Sequence, residues 1–339
     1  MHVIKHIPED FVVNEISNVA LQEKGDYALF ELRKRNYGTP EAVQRIAEVL
    51  RRYPKDFGFA GNKDRKAVTT QLISLFKGTR QDMDLDILDI DLEFKGFSHK
   101  KIALGELEGN AFTIVVRNLE DVDVQKAKGF VTSPRPVPNY FGSQRFSSAN
   151  HLIGRELVKK RFSHAIELVK EHDKAYQNSI AAFLKNNPQN AIGALRLIPH
   201  HTLRMYLHAY QSFLFNSLLK KALKENAASN SSFPVIGFGT EPEKYKLALR
   251  TIIETILKKE NISPRDFINR QMPEVSSEGG TREAFFMPKN FAILEEAQDD
   301  AFEGRKKVKL SFELRKGCYA TTLLSFVFND CSDLLNDLL

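Results

Sequence analysis

The segment Phe57-Gly58-Phe59-Ala60-Gly61-Asn62-Lys63-Asp64-Arg65-Lys66-Ala67-Val68-Thr69-Thr70-Gln71 runs from a strand-like stretch into a loop where one acid sits among three bases. Nearby Lys63, Arg65 or Lys66 favour the charged form of Asp64, leaving a carboxylate able to act as a nucleophile. The same cations suit RNA phosphates. Spacing alone favours a plainer role, in which Asp64 caps the turn after Gly61-Asn62 or pairs with its neighbours at the surface.

On either side of this segment the pattern is α+β. Phe11 to Ile16 and Tyr27 to Leu32 read as strands, and Pro40 to Arg51 as a helix with Thr39 as its N-cap and Pro40 at its first position. Further strand-like runs occur at Leu72 to Phe76, Ile87 to Phe94 and Phe112 to Arg117, dense enough for one broad sheet. From about Asn150 the pattern turns helical, clearest where Leu203, Leu207, Tyr210, Leu214 and Leu218 recur at three- and four-residue steps. Glu225 to Ser232 and Ser276 to Thr281 read as loops. Strand character returns in Lys307 to Leu314 and Tyr319 to Phe328, so the helical region reads as an insertion into a sheet completed by the C-terminus.

Composition bounds the function. The chain has 339 residues, 42% hydrophobic and 27% charged, which suits a globular protein of about two domains. A net charge of +6 raises the expectation of a polyanionic partner. The two cysteines, Cys318 and Cys331, form no CxxC pair or Cys/His cluster, which argues against a disulfide framework or a zinc site and fits a reducing compartment. The first ten residues lack an apolar signal core, and no run approaches the ~18 apolar residues of a membrane span, so a cytoplasmic location is expected.

Several patterns lead elsewhere and are set aside. Asp82 to Glu93 has the acids of a calcium loop but Ile87 where the sharp turn needs glycine. His200, His201 and His208 lack a carboxylate at ligand spacing, Gly237-Phe238-Gly239 lacks the rest of a phosphate loop, and no nucleophile elbow is present.

The Asp64 segment resembles the catalytic motif of the TruD pseudouridine synthases, a Gly-x-Lys-Asp core followed by Ala-Val-Thr and a nearby glutamine. Three further segments resemble motifs of that family in the same order: Pro8 to Val13, Pro138 to Phe146, and Lys316 to Thr322; Gly280-Thr281-Arg282-Glu283-Ala284 is a shorter match. The resemblance spans almost the whole chain.

It implies a mixed, largely antiparallel pseudouridine-synthase sheet with flanking helices, interrupted by a TruD-specific α/β domain. The expected division is a catalytic domain at 1–164 and 295–339 with the insertion at 165–294. It further implies that Asp64 is the nucleophile and Lys5 the basic residue beside it. Phe11, Asn139, Phe141 and Tyr319 would contact the target uridine, although the family typically has phenylalanine where this chain has Tyr319. An extruded uridine needs flat apolar surfaces to replace lost stacking and a polar group to read its edge, which the aromatics and Asn139 offer.

The implied reaction is isomerisation of uridine in tRNA, with position 13 as the expected target and neither metal nor redox cofactor required. RNA outside the pocket is expected on Lys63, Arg65, Lys66 and Arg145, and on the basic runs Arg33-Lys34-Arg35, Arg51-Arg52 and Arg305-Lys306-Lys307. A monomer is expected. The competing readings are a non-catalytic RNA-binding protein on the same scaffold, and a metal-dependent nuclease. The nuclease would need further carboxylates converging with Asp64.

Overall fold

A computed structural model describes residues 2–147, 149–227 and 232–328. Cys331 lies outside the described residues. In chain order the elements are β1 (Phe11–Ile16), β2 (Tyr27–Arg35), α1 (Thr39–Val49), β3 (Phe57–Phe59), β4 (Val68–Phe76), β5 (Ile90–Ser98), β6 (Gly109–Leu119) and α2 (Asp121–Thr132). Next come β7 (Val137–Pro138), α3 (Asn150–Val158), α4 (Phe162–His172), α5 (Lys174–Asn186), α6 (Ala191–Leu195), α7 (His200–Lys224), β8 (Ser232–Val235) and α8 (Leu247–Glu260). The chain ends through β9 (Gly280–Glu283), β10 (Phe285–Phe286), β11 (Lys289–Gln298), β12 (Lys306–Arg315) and α9 (Ala320–Phe328).

The chain divides into two compact units, 1–135 with 287–320, and 136–286 with 321–339. The first holds an eight-stranded sheet of order β11-β12-β6-β1-β4-β2-β5, with β3 also paired to β4. Its pairs are antiparallel except one: β1 and β4 run parallel, with Val12 opposite Val68 and Asn14 opposite Thr70. Parallel neighbours begin at the same end of a sheet. The segments leading into β1 and β4 are therefore brought together, although Lys5 and Asp64 are 59 residues apart.

Two amphipathic helices cover parts of this sheet. α1 buries Ala42, Val43, Ile46 and Ala47, spaced for one helical face, in a core with Phe30, Ile73 and Leu75. α2 buries Val124, Ala127 and Phe130, and Phe130 meets Phe291 of β11 edge-on at 4.8 Å. In β2, Ala28, Phe30 and Leu32 share the face toward α1, while Leu29 on the other face joins Ala60 and Ile102.

The second unit is a helical assembly centred on α7, whose Leu203, Tyr206, Tyr210, Leu214, Phe215 and Leu218 are buried. Two short antiparallel pairs, β7–β10 and β8–β9, complete it.

The two units change at residues 136 and 287, because Ile153, Leu157 and Val158 of α3 enter the same core as Leu203 and Tyr206. The α+β class and the largely antiparallel sheet match the sequence reading, but two details differ. The apolar run after Tyr319 is helix α9, not a strand: its buried Ala320, Leu323, Leu324 and Val327 follow helical steps. Gly38, not Thr39, occupies the N-cap of α1, and the Thr39 hydroxyl serves another purpose.

Candidate functional site

Lys5 Nζ donates to Asp64 Oδ2 over 2.8 Å. The Lys5 side chain is 15% exposed and that of Asp64 40%, so the pair opens to solvent on the carboxylate side. Lys5 Nζ also lies 4.1 Å from the ring centroid of Phe11, a cation–π distance. Phe11 is 2% exposed and sits edge-on to Phe112 at 6.1 Å. Its ring is thus the floor beneath Lys5.

Beneath the Asp64 loop lies a set of buried polar groups. Lys34 on β2 points inward, and its Nζ donates to the carbonyl of Asp64 at 3.2 Å and to that of Tyr37. Burial pushes the Lys34 ammonium down to about 8 from its ordinary 10.5, with the Asp64 charge acting the other way. The Thr39 hydroxyl accepts from the Lys63 N–H at 2.9 Å and donates to Gln71 Oε1 at 2.7 Å, while Gln71 Nε2 donates to the Gly61 carbonyl at 3.1 Å. The main chain is therefore held at Gly61, Lys63 and Asp64 by side chains from three other places in the fold. This arrangement fixes where the carboxylate stands through its main chain, with the side chain bonded to Lys5 Nζ and partly open to solvent.

Lys63 is not the surface cation the sequence suggested. Its side chain is 6% exposed and its ammonium is ion-paired with the almost fully buried Glu15 of β1. Lys34 departs in the same way from the basic run Arg33-Lys34-Arg35, being 1% exposed. Arg65 and Lys66 are exposed, with Arg65 3.8 Å from Glu41. Tyr319 is half-buried, in the short stretch of chain that follows β12.

The segment carrying Lys5 is clamped at both ends by Arg117 of β6. Backbone hydrogen bonds join Val3 and Arg117, and the Arg117 guanidinium donates to both oxygens of Asp10, at 2.9 and 3.0 Å. Its remaining fork donates to Asp299 at 2.9 Å and Asp300 at 2.8 Å. The bonds to Asp10 above all hold the guanidinium pKa above its ordinary value. Between these anchors Lys5 takes the left-handed backbone conformation, φ 58°, uncommon for a side chain of its size.

In the second unit, Asn139 is 4% exposed and its amide is engaged. Arg282 Nη2 donates to Asn139 Oδ1 at 2.6 Å and Arg282 Nε to the Asn139 carbonyl at 3.0 Å, while Asn139 Nδ2 donates to the Glu283 carbonyl at 3.0 Å. The same guanidinium lies 4.1 Å over the ring of Phe141. Asn216 holds the Phe141 main chain through both its N–H and its carbonyl. Arg145, half-buried, donates to Ser212 at 3.3 Å. Arg282 thus ties together Asn139 and Phe141, two of the residues named from sequence.

The family pattern described as tRNA pseudouridine synthase D (TruD) matches this chain over residues 2–182, 169–234 and 228–326. The tRNA pseudouridine synthase D of Aquifex aeolicus is 32% identical over 390 aligned positions, covering 97% of this chain and 98% of its own. The chain belongs to the tRNA pseudouridine synthase D family. A relative from Methanosarcina mazei bearing the same family name is 28% identical, covering 93% of this chain and 90% of its own. A crystal structure from the same organism, titled as a TruD protein, superposes with a TM-score of 0.76 at 26% identity, covering 96% of this chain and 93% of that one.

Within this family member, the residues that sequence reasoning missed are those that hold others in place. Arg117 and Asp10 are 107 positions apart and carry no local signal. Arg282 lies in the short Gly280–Ala284 match, whose resemblance implies no role for it. Among the described residues, no group of three or more His, Cys, Asp or Glu is placed to hold a metal, and no helix is long and apolar enough to cross a membrane.

Proposed function

We infer that this chain isomerises uridine to pseudouridine in tRNA, with Asp64 as its nucleophile. The N1–C1′ glycosidic bond breaks, the uracil turns, and C5 joins C1′; the C5 proton leaves and N1 gains one. Asp64 attacks the sugar or the base to carry the covalent intermediate. Lys5 steadies the carboxylate before and after that attack. Phe11, Asn139, Phe141 and Tyr319 are proposed as contacts to the uracil, and Arg65, Lys66 and Arg145 as contacts to surrounding RNA. Uridine 13 is the proposed target, and the enzyme is proposed to work as a cytoplasmic monomer.

The observation that carries this reading is the Lys5–Asp64 pair. Its carboxylate is partly exposed on a loop whose main chain is held by buried donors and acceptors. A surface ion pair has no need of such a foundation. The test is pseudouridine formation in a uridine-labelled tRNA transcript, comparing the parent with Asp64→Asn. Product from the parent and none from the variant, with RNA affinity retained, supports the reading. No product from the parent across a broad tRNA pool overturns it, and an active variant moves the nucleophile elsewhere. A transcript with cytidine at position 13 tests the target.

A further inference from the structure

The basic runs that stand out in the sequence are largely consumed by the protein's own acids. Arg35 pairs with Glu9, Arg305 with Glu120, Lys306 with Asp121 and Glu296, and Lys307 with Asp300. A different set of cations lines a groove in the first unit. One section, of about 600 Å³, includes Lys100, Lys101 and Lys316; the next, of about 360 Å³, adds Lys289 and Arg315, and the sections share Asn18, Leu107 and Lys316. All five cations are exposed, and among the described residues none is ion-paired to a carboxylate, although Lys101 Nζ donates to the Lys55 carbonyl and Lys316 Nζ to the Gly105 carbonyl at 3.2 Å. Three acids also line the groove: Glu106 accepts from the Ala103 N–H, Glu313 accepts from Asn290, and Glu108 is exposed, so the five cations outnumber the carboxylates.

The floor is apolar. Ile102, 3% exposed, packs with Leu29 and Ala60, and Val19 and Leu107 lie against that cluster. The groove is also tied to the catalytic loop: the Gly105 N–H donates to the Ala60 carbonyl at 2.7 Å, four residues before Asp64. Exposed cations without carboxylate partners along the walls and an apolar floor match a polyanionic strand whose bases or sugars rest on hydrocarbon. A volume of about 600 Å³ falls within the roughly 300–1,000 Å³ range of ligand sites.

We propose that this groove holds substrate RNA outside the target uridine, with phosphates on Lys100, Arg315 and Lys316 and a nucleoside against Val19, Ile102 and Leu107. The proposal rests on the reading of this chain as a tRNA pseudouridine synthase. It makes the groove a determinant of affinity, separate from the chemistry at Asp64.

The test is the full chain carrying Lys100→Ala with Lys316→Ala, beside a Lys100→Arg/Lys316→Arg pair, with thermal melting to confirm folding. With tRNA transcript, the alanine pair is expected to weaken Kd roughly 10-fold at moderate salt. Its slope of log affinity against log salt should be shallower by about 0.7–0.9 per lost phosphate contact. KM should rise in step while kcat at saturating tRNA is unchanged, and the arginine pair should bind as the parent does. A folded alanine pair with parental Kd, KM and salt slope would overturn the proposal, as would an arginine pair as weak as the alanine pair. If the parent makes pseudouridine and the alanine pair is unaffected, only the groove assignment fails. If the parent makes none, the functional reading beneath it fails.

Discussion

Lys5 and Asp64 meet because the only parallel pair among the described sheet strands, β1 and β4, sends both preceding segments to one end of the sheet. Replacing Lys5 removes a charge-assisted hydrogen bond from the carboxylate, an interaction worth about 1.5–3 kcal/mol. Lys5→Met is expected to lower kcat roughly 10- to 150-fold if that interaction acts in the transition state, with Kd for tRNA changing far less. Lys5→Arg, which can still donate to Asp64, should recover part of the loss. Single-turnover rates and filter binding separate the effects, and a Met variant with the parental rate would remove Lys5 from the chemistry.

Arg117 is expected to matter more for stability than its distance in sequence suggests. Arg117→Met leaves the buried carboxylates of Asp10 and Asp299, 2% and 0% exposed, without their cation. Removing one partner of such a buried network costs about 3–5 kcal/mol. Chemical denaturation of the first unit's transition should show that loss. The near-isosteric exchange Asp300→Asn, which removes one negative charge, should cost far less, since Asp300 is 66% exposed. Equal losses in the two variants would contradict this division.

Much of this site was legible because its signals are local. Asp64 stands in a continuous motif, and the strands on either side show their period. Lys34 was misread from the basic run around it, although β2 carries the correcting signal: Ala28, Phe30, Leu32 and Lys34 share one parity, and the first three are core residues. Thr39 looked like a helix cap because it precedes Pro40, and only the fold shows its hydroxyl turned to Gln71 and the Lys63 N–H. Helix α3 adjoins the catalytic segment in sequence, yet its apolar face packs with α7. No local pattern encodes that choice of partner.

Arg282 holds Asn139 and Phe141 at once, so its replacement should disturb both. Arg282→Met leaves Asn139 Oδ1 without its donor at a buried position, a cost of about 1–3 kcal/mol, and removes the cation over Phe141. Arg282→Lys is expected to rescue little, because a single ammonium cannot reproduce the paired bonds from Nε and Nη2. Thermal melting should fall in both variants, and pseudouridine formation should fall with it at temperatures where the protein remains folded. A lysine variant with parental melting and rate would show that only the charge is needed.

The buried ammonium of Lys34 gives a pH signature of definite sign. Its folded pKa of about 8 lies below the ordinary 10.5, so between these values the unfolded chain holds a proton that the folded chain has released. Stability rises with pH where the unfolded state binds more protons. Relative to Lys34→Met, which has nothing to titrate at this position, the parent should therefore gain stability as pH climbs from about 8 toward 10.5. The slope is bounded at about 1.4 kcal/mol per pH unit. Below about pH 8 both states of the parent are protonated, and the difference between the proteins should be flat. Denaturant titrations at pH 7, 8.5 and 10 measure it; a difference that stays constant throughout, or moves in favour of the Met variant, would mean that folding does not displace the Lys34 proton.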